Sequence, residues 1–132
     1  MFSKSKNKYK NTKTTYKNIK FDSLLERDFY IYLEKQKEQG QVVSIKLQPV
    51  FLLQEGFRDY RGRAVRKIEY KADFEVEYAN GQVVIYDTKG MLTKDFNLKY
   101  KMFLFKYNHL PLILVKKLKG GFYDKKTNEK II

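Results

Sequence analysis

Residues 68–89 constrain the fold more than any other part of the chain. Apolar and polar residues alternate from residue 68 to residue 78, and this period of two predicts a β-strand with one buried and one solvated face. Asn80 and Gly81 predict a tight turn, and residues 82–89 predict a returning strand. The chain is therefore expected to contain an antiparallel strand pair.

Hydrophobic spacing and breaker residues predict the other elements. The expected elements are a helix from residue 22 to about residue 39, a strand over residues 42–53 with an edge or a bulge at Pro49, an arginine-bearing loop over residues 56–62, a helix that Thr93 caps, and a strand over residues 112–116. The order α-β-β-β-α-β predicts an α/β fold with a mixed β-sheet flanked by helices. A polar tail is expected after Gly120 and Gly121.

The length and the distribution of lysine predict one domain with a basic arm. The chain has 132 residues, which suits a single core over residues 21–132. Residues 1–20 contain seven lysines and no acidic residue, so this arm is expected to be flexible on its own. Two interpretations of the arm remain, a solubilising tail or a segment that becomes ordered on phosphates.

The net charge of +13 predicts a polyanionic partner. Nucleic acid is the first expectation and a membrane surface the second, because the arm lacks the apolar face of a membrane-binding helix. The basic residues expected to contact nucleic acid are Arg58, Arg61, Arg63, Arg66, Lys94 and Lys101. Phe57 and Tyr60, which lie among the arginines, are candidate partners for stacking on bases.

The composition also bears on the cellular compartment. The chain contains no cysteine, which fits a reducing compartment and excludes disulfides and thiolate metal sites. The first residues form no apolar stretch of signal-peptide length, and no apolar run is long enough to cross a bilayer. We therefore expect a soluble, cytoplasmic protein that does not enter a membrane.

The returning strand ends in the residues DTKG, in which Asp87 and Lys89 are separated by Thr88. Acid-x-basic tripeptides are weak signals, because chance alone gives about three of them in a chain of this composition. Residues i and i+2 of a strand face the same way, so Asp87 and Lys89 would project together where the strand ends. This position favours them as functional residues.

A second acidic residue, Asp73, lies on the preceding strand, and the turn decides whether it meets Asp87. If Asn80 and Gly81 form a two-residue loop, Asp73 lies opposite Thr88 and the two aspartates face opposite sides of the sheet. A shared site would then be excluded.

A three-residue loop over residues 79–81 gives the other register. Tyr78 then pairs with Gln82, Gly81 adopts the left-handed conformation, and Asp73 lies opposite Asp87. We prefer this register because it also aligns two apolar pairs, Phe74 with Tyr86 and Val76 with Val84.

Two facing carboxylates repel each other unless a cation lies between them. Carboxylate oxygens without cysteine suit Mg²⁺ or Mn²⁺, and the lone His109 does not build a zinc site. The alternative is that Asp73 is a solvated strand residue and Lys89 is an ordinary surface lysine. Composition and spacing alone leave both interpretations open.

Four residues in three short motifs together resemble the PD-(D/E)xK nuclease superfamily. They are Glu26 in FDSLLE, Asp73 in YKADFEV, and Asp87 with Lys89 in VVIYDTKG. The closest resemblance is to small phage-encoded endonucleases, including Holliday-junction resolvases, and it covers roughly residues 21–116. The sequence departs from the pattern at Ala72, where the motif has proline, and at Asp87, where it often has glutamate.

The resemblance implies a restriction-endonuclease-like α-β-β-β-α-β core and a Mg²⁺-dependent DNA endonuclease that hydrolyses phosphodiester bonds. Asp73, Asp87 and the Thr88 carbonyl would bind the metal, Lys89 would orient or activate water, and Glu26 would complete the acidic cluster. The substrate would be branched DNA or a Holliday junction, in the bacterial host cytoplasm if the protein is phage-encoded. Symmetric cutting of two strands would require a homodimer.

Two alternatives stand beside this hypothesis. Ser23 and Glu26 match the capping box of a helix N-terminus, so Glu26 would serve the fold, the site, or both. The whole chain would alternatively be a non-catalytic basic nucleic-acid-binding module in which the acidic residues only balance charge.

Overall fold

The structure is a computed structural model that describes residues 12–89 and 92–131. Its elements are β1 (Thr14–Tyr16), β2 (Ile19–Phe21), α1 (Leu24–Glu38), β3 (Val42–Leu47), β4 (Val50–Gln54), β5 (Phe57–Arg58), β6 (Ala64–Val65), β7 (Ile68–Lys71), β8 (Phe74–Tyr78), β9 (Val83–Thr88), α2 (Lys94–Lys106), β10 (Leu112–Leu118) and β11 (Gly121–Asp124). None of the described helices is long and apolar enough to cross a membrane.

The central sheet has five strands in the order β11-β10-β9-β8-β3. Strands β9 and β10 are parallel, and the other neighbours are antiparallel. The parallel pair is possible because α2 connects β9 to β10, as a crossover between parallel strands requires. The predicted α/β class with a mixed sheet and two helices is confirmed.

The two helices cover opposite faces of this sheet. Successive residues of β9 belong to different hydrophobic clusters: Tyr86 packs in the same cluster as Phe29 of α1, and Ile85 in the same cluster as Phe103 of α2. Because successive strand residues point to opposite faces, each helix must lie on its own face. The cores are rich in aromatic rings; Phe29 and Tyr86, for example, have ring centroids 4.9 Å apart.

The predicted single strand over residues 68–78 is wrong, because the chain changes partner in its middle. Strand β7 pairs with β4, whereas β8 pairs with β3 and β9. At the break the Ala72 N–H donates to the Pro49 carbonyl (3.0 Å) and the Asp73 N–H donates to the Tyr86 carbonyl (3.2 Å). As a result Tyr70 packs on the α2 side and Phe74 on the α1 side, so the expected single apolar face is divided between two cores.

The strand predicted over residues 42–53 also divides, into β3 and β4. The break is at Gln48, whose φ of 51° lies in the left-handed region, and at Pro49, which has no N–H to donate to a ladder. The prediction of an irregularity at Pro49 is confirmed, but the two halves enter different sheets.

Five short strands lie where no strand is predicted. Strands β1 and β2 pair at the end of the predicted arm, and Phe21 is buried in the α1 cluster; the flexibility of the arm stays a prediction. Residues 1–11 lie outside the described residues. Strand β5 lies in the predicted arginine loop and pairs with β6, which follows that loop, and β11 pairs with β10 from within the predicted polar tail.

Candidate active site

The turn between β8 and β9 sets the register that brings the two aspartates together. The Tyr78 N–H donates to the Gln82 carbonyl (2.8 Å), and Gly81 has a φ of 91°. The ladder pairs Phe74 with Tyr86 and Val76 with Val84. The three-residue turn and its register are therefore confirmed, and Asp73 lies opposite Asp87.

Asp73 is half-buried at the break between β7 and β8. Its Oδ2 atom accepts hydrogen bonds from the Thr88 N–H (2.8 Å) and from the Thr88 hydroxyl (2.6 Å). These bonds hold the carboxylate against the end of β9. Thr88 is thus placed at the site, with a role for its amide and side chain that the sequence did not predict.

Asp87 is almost completely buried, with 2% of its surface exposed. Its Oδ2 atom accepts a hydrogen bond from the Tyr70 hydroxyl and lies 3.3 Å from the Lys89 ammonium. Burial and, next, the nearby Asp73 carboxylate raise the pKa of Asp87 to about 8, although Lys89 and the Tyr70 hydrogen bond oppose the shift. An ionised Asp87 is therefore costly until more positive charge arrives.

Glu26, in the first turn of α1, interacts with Asp73. The Glu26 N–H donates to Ser23 Oγ (3.1 Å) and Glu26 Oε1 accepts from the Asp22 N–H (3.0 Å), so the glutamate does serve the cap. Burial and, next, repulsion by the Asp73 carboxylate raise the pKa of Glu26 to about 7. The cap and the acidic cluster coincide, and Glu26 belongs to both.

The three carboxylates form a cluster centred on Asp73. Glu26 and Asp87 each interact with Asp73, and this interaction, after burial, raises the pKa of each. The donors are all oxygen atoms, a set that suits Mg²⁺ or Mn²⁺. Within residues 12–89 and 92–131, no three acidic, histidine or cysteine side chains are arranged to hold a metal ion as they stand. A cation would therefore displace protons and reorient these carboxylates.

Lys89 stands between two clefts lined with lysine. One cleft, of about 510 Å³, is lined by Lys71, Lys89 and Lys99, by the rings of Tyr70 and Phe96, and by the acidic residues Glu69 and Asp95, among others. The other, of about 370 Å³, is lined by Leu24, Leu25, Lys89, Lys116, Lys117, Lys125 and one acidic residue, Asp28, which lies 3.1 Å from the Lys117 ammonium. The Lys89 ammonium also lies 4.5 Å from the centre of the Phe96 ring, which holds it on the wall shared by the clefts.

The residues predicted to bind nucleic acid lie elsewhere on the surface. Arg58, Arg61, Arg63 and Arg66 are exposed on the β5–β6 hairpin and just after it. Lys94 and Lys101 are exposed on α2, where neither lines the two clefts beside Lys89. Apart from Lys89, the cleft lysines were not predicted. Lys71 offered one signal, because it lies two residues before Asp73 in the sequence.

Tyr70 was also missed as a site residue. The sequence placed it on the buried face of a continuous strand, and its contact with Asp87 exists because β7 leaves the central sheet at Ala72. A tyrosine in the middle of an acid-x-lysine match, as in the residues EYK, carries no local signal for that contact.

Comparison with known proteins gives one family. A search of curated proteins and a search of solved structures each find no match. A family model described as "Protein of unknown function (DUF1064)" matches residues 6–121. This match spans most of the 132 residues, and the chain therefore belongs to the DUF1064 family.

Proposed function

We propose that the protein is a metal-dependent DNA endonuclease of the PD-(D/E)xK type with a restriction-endonuclease-like core. The proposal is supported by the order α1, β3, β8, β9, α2, β10, which follows the α-β-β-β-α-β pattern of that superfamily once the β4–β7 insertion is set aside. It is further supported by the meeting of Glu26, Asp73, Asp87 and Lys89 at one place. The proposed substrate is branched DNA, an expectation that comes from the resemblance to phage endonucleases.

The single observation that carries the proposal is the facing pair Asp73 and Asp87, with Lys89 beside it. Burying a carboxylate costs several kcal/mol unless its charge is compensated, and here a second carboxylate increases that cost. One lysine at 3.3 Å compensates one of the two negative charges. In the metal-free protein a proton on Asp87 compensates the remainder, since its pKa is about 8, and a divalent cation would take the place of that proton.

The chain's own groups suit phosphodiester hydrolysis. A divalent cation held by Asp73 and Asp87 would lower the pKa of a water molecule and offset charge on the phosphate. The Lys89 ammonium, between the two clefts, would orient the attacking water and stabilise the extra negative charge of the pentavalent phosphate. Thr88 keeps Asp73 in position, and Glu26 adds a third carboxylate that interacts with Asp73.

The clefts on either side of Lys89 would hold the DNA backbone. Lys71 and Lys99 line one of them, and Lys116, Lys117 and Lys125 line the other. Lysine is a phosphate contact that carries little information about base sequence. The site is therefore expected to recognise backbone shape more than sequence.

The proposal is tested by incubating the purified protein with supercoiled plasmid and with a synthetic four-way junction, in Mg²⁺, Mn²⁺ or EDTA. We expect cleavage with either metal and none in EDTA. Asp73→Asn and Lys89→Ala are expected to abolish cleavage while binding persists. Glu77→Gln on β8 and Lys119→Ala at the β10–β11 turn remove the same charges from exposed positions, and both should cut normally.

Two outcomes would contradict the proposal. Retarded but uncut DNA under every metal condition would identify a non-catalytic nucleic-acid-binding module. Cleavage that survives in Asp73→Asn and Lys89→Ala would show that another site, or a contaminant, cuts the DNA. Preferential cutting of the junction over the plasmid would support branched DNA as the substrate, and equal cutting of both would exclude that preference.

A further inference from the structure

The β5–β6 hairpin exposes aromatic side chains that the fold does not use. The strands pair Phe57 with Val65 and Arg58 with Ala64. Tyr60, at the tip, has 86% of its surface exposed and Phe57 has 50%. Neither ring belongs to either hydrophobic cluster, so water surrounds aromatic surface that a partner would cover.

The tip is held in one conformation by its own polar groups. Asp59 Oδ1 accepts from the N–H groups of Arg61 and Arg63 (both 2.9 Å), and Asp59 Oδ2 lies 3.2 Å from Arg63 Nε. Arg58 Nη1 donates to the Gly62 carbonyl (2.9 Å), and Gly62 has a φ of 80°. A pre-ordered tip loses little conformational entropy when it binds, so the exposed Tyr60 ring is well placed to contact a partner.

The charge on the hairpin selects the kind of partner. Residues 57–66 contain four arginines and one acidic residue, Asp59. The Arg61 guanidinium lies 5.2 Å from the centre of the Tyr60 ring. Exposed aromatic rings among arginines are the chemistry that binds unpaired nucleobases, since the ring stacks on the base and the cations contact phosphates. A protein surface would have to be strongly acidic to match it.

The hairpin is directly connected to the candidate active site. Strand β7 begins three residues after Val65 and carries Tyr70, which contacts Asp87, and Lys71, which lines the larger cleft. The five residues from Val65 to Tyr70 span at most about 18 Å when fully extended. DNA bound at the hairpin would therefore have its phosphates within reach of the cleft lysines.

We propose that the β5–β6 hairpin is a nucleobase-stacking site that binds an unpaired base at a DNA branch point or flap, with Tyr60 as the stacking residue. This inference rests on the proposed function for its choice of DNA, and it assigns the preference for branched substrate to a specific element. The arginines contribute phosphate contacts, which duplex DNA shares, so only Tyr60 distinguishes unpaired from paired DNA.

The test measures binding without cleavage. Fluorescence anisotropy in EDTA is recorded for a four-way junction, a flapped duplex and a fully paired duplex of equal length. Tyr60→Ala is expected to weaken binding of the junction and the flap by about 10-fold and to change duplex binding by less than about 2-fold. Tyr60→Phe keeps the ring and should bind as the unmodified protein does.

Phe105→Ala provides the matched control. Phe105 is 85% exposed on α2, so its loss removes a similar aromatic surface away from the hairpin and should change neither affinity. A second readout is a 2-aminopurine placed at the branch point, whose fluorescence should be quenched by the unmodified protein and by Tyr60→Phe, but not by Tyr60→Ala.

Equal losses of affinity for all three DNAs in Tyr60→Ala, or quenching that survives in this variant, would overturn the inference. Because these measurements need no cleavage, their outcome does not depend on whether the protein is a nuclease. Selective loss in a protein that never cuts DNA would support the stacking site and overturn the nuclease. Metal-dependent cutting by a protein whose DNA binding does not depend on Tyr60 would support the nuclease and overturn the stacking site.

Discussion

The two faces of β9 bury polar groups in different ways. Toward α1, the Tyr86 hydroxyl hydrogen-bonds with the Tyr78 hydroxyl, and both groups are neutral. Toward α2, Asp87 contacts the Tyr70 hydroxyl and the Lys89 ammonium. The first arrangement satisfies a hydrogen bond at small electrostatic cost, whereas the second holds a buried carboxylate beside another one. Under the proposed function, the Tyr86–Tyr78 pair serves stability, whereas the Asp87 side of β9, together with Glu26 at the start of α1, would serve the chemistry.

The largest difference between the faces is expected in activity. Asp87→Asn removes the charge that would bind the cation and should reduce DNA cleavage by at least about 100-fold. Tyr86→Phe removes only a neutral hydroxyl and should leave the cleavage rate within about 2-fold. Rates are measured on the preferred DNA under single-turnover conditions. Similar losses in the two variants would mean that both faces serve only the fold.

Metal should stabilise the folded protein through the α2 face. At pH 8, Mg²⁺ at about 100 times its dissociation constant should raise the free energy of unfolding by about 2.7 kcal/mol. Asp73→Asn should remove most of this gain, and Glu77→Gln should keep it. The measurement is urea unfolding with and without Mg²⁺. An equal gain in both variants would place the metal outside the Asp73–Asp87 pair.

Removing the two buried tyrosine hydroxyls should cost different amounts. Tyr70 donates to an ionisable carboxylate and Tyr86 bonds a neutral hydroxyl, so at pH 8 and above Tyr70→Phe should cost about 2 kcal/mol of stability and Tyr86→Phe about 1 kcal/mol. Tyr70→Phe should also shift the pH–rate profile to higher pH, because the Tyr70 hydrogen bond lowers the pKa of Asp87. Unfolding curves and pH–rate profiles of both variants check this expectation. Identical profiles would show that Tyr70 does not tune Asp87.

Without metal, the stability of the folded protein should depend on pH through Asp87. The pKa of Asp87 is about 8 in the folded chain and about 3.9 when unfolded, so the folded state binds more protons between these values. Stability contributed by this group is therefore greatest near pH 4 and falls as pH rises toward 8. We expect a loss of at least about 1.4 kcal/mol, the value of one pKa unit, between pH 5 and pH 8 in EDTA.

Asp87→Asn should flatten that pH dependence and Tyr86→Phe should not. Some slope will remain in Asp87→Asn, because burial and Asp73 also raise the pKa of Glu26 to about 7. Urea unfolding at several pH values distinguishes the variants. A slope that is unchanged in Asp87→Asn would mean that this carboxylate is ionised throughout the range.

Several features of the site followed from short-range patterns. The Asn80–Gly81 turn and the apolar pairs of β8 and β9 determine the register, because a shift of one residue would turn the apolar side chains out of the core. The register in turn places Asp73 opposite Asp87. The cap at Ser23 was predictable for a similar reason, since the capping box needs only residues within one turn of helix.

Other features depend on contacts between distant segments. Residues 42–53 and 68–78 each have the pattern of one long strand, yet each divides where Pro49 and Ala72 meet through a backbone hydrogen bond. Alternation of side chains does not report which strand will be the partner, so the break had only Pro49 as a local signal. The lysines of α2 and β10 are gathered around Lys89 by the crossover, which no local pattern describes.

The sequence by itself determined the α/β class, both helices, the turn and the pairing of two aspartates, because periodicity and turn chemistry act over a few residues. Tertiary structure decided that Tyr70 contacts Asp87, that Glu26 reaches Asp73, and that lysines from four segments border Lys89. The Tyr70 contact arises from the break at residues 72 and 73, where β7 and β8 take different partners, and the lysines meet because α2 connects the parallel strands β9 and β10. Such contacts join residues that are distant in the chain, so periodicity and turn chemistry do not encode them.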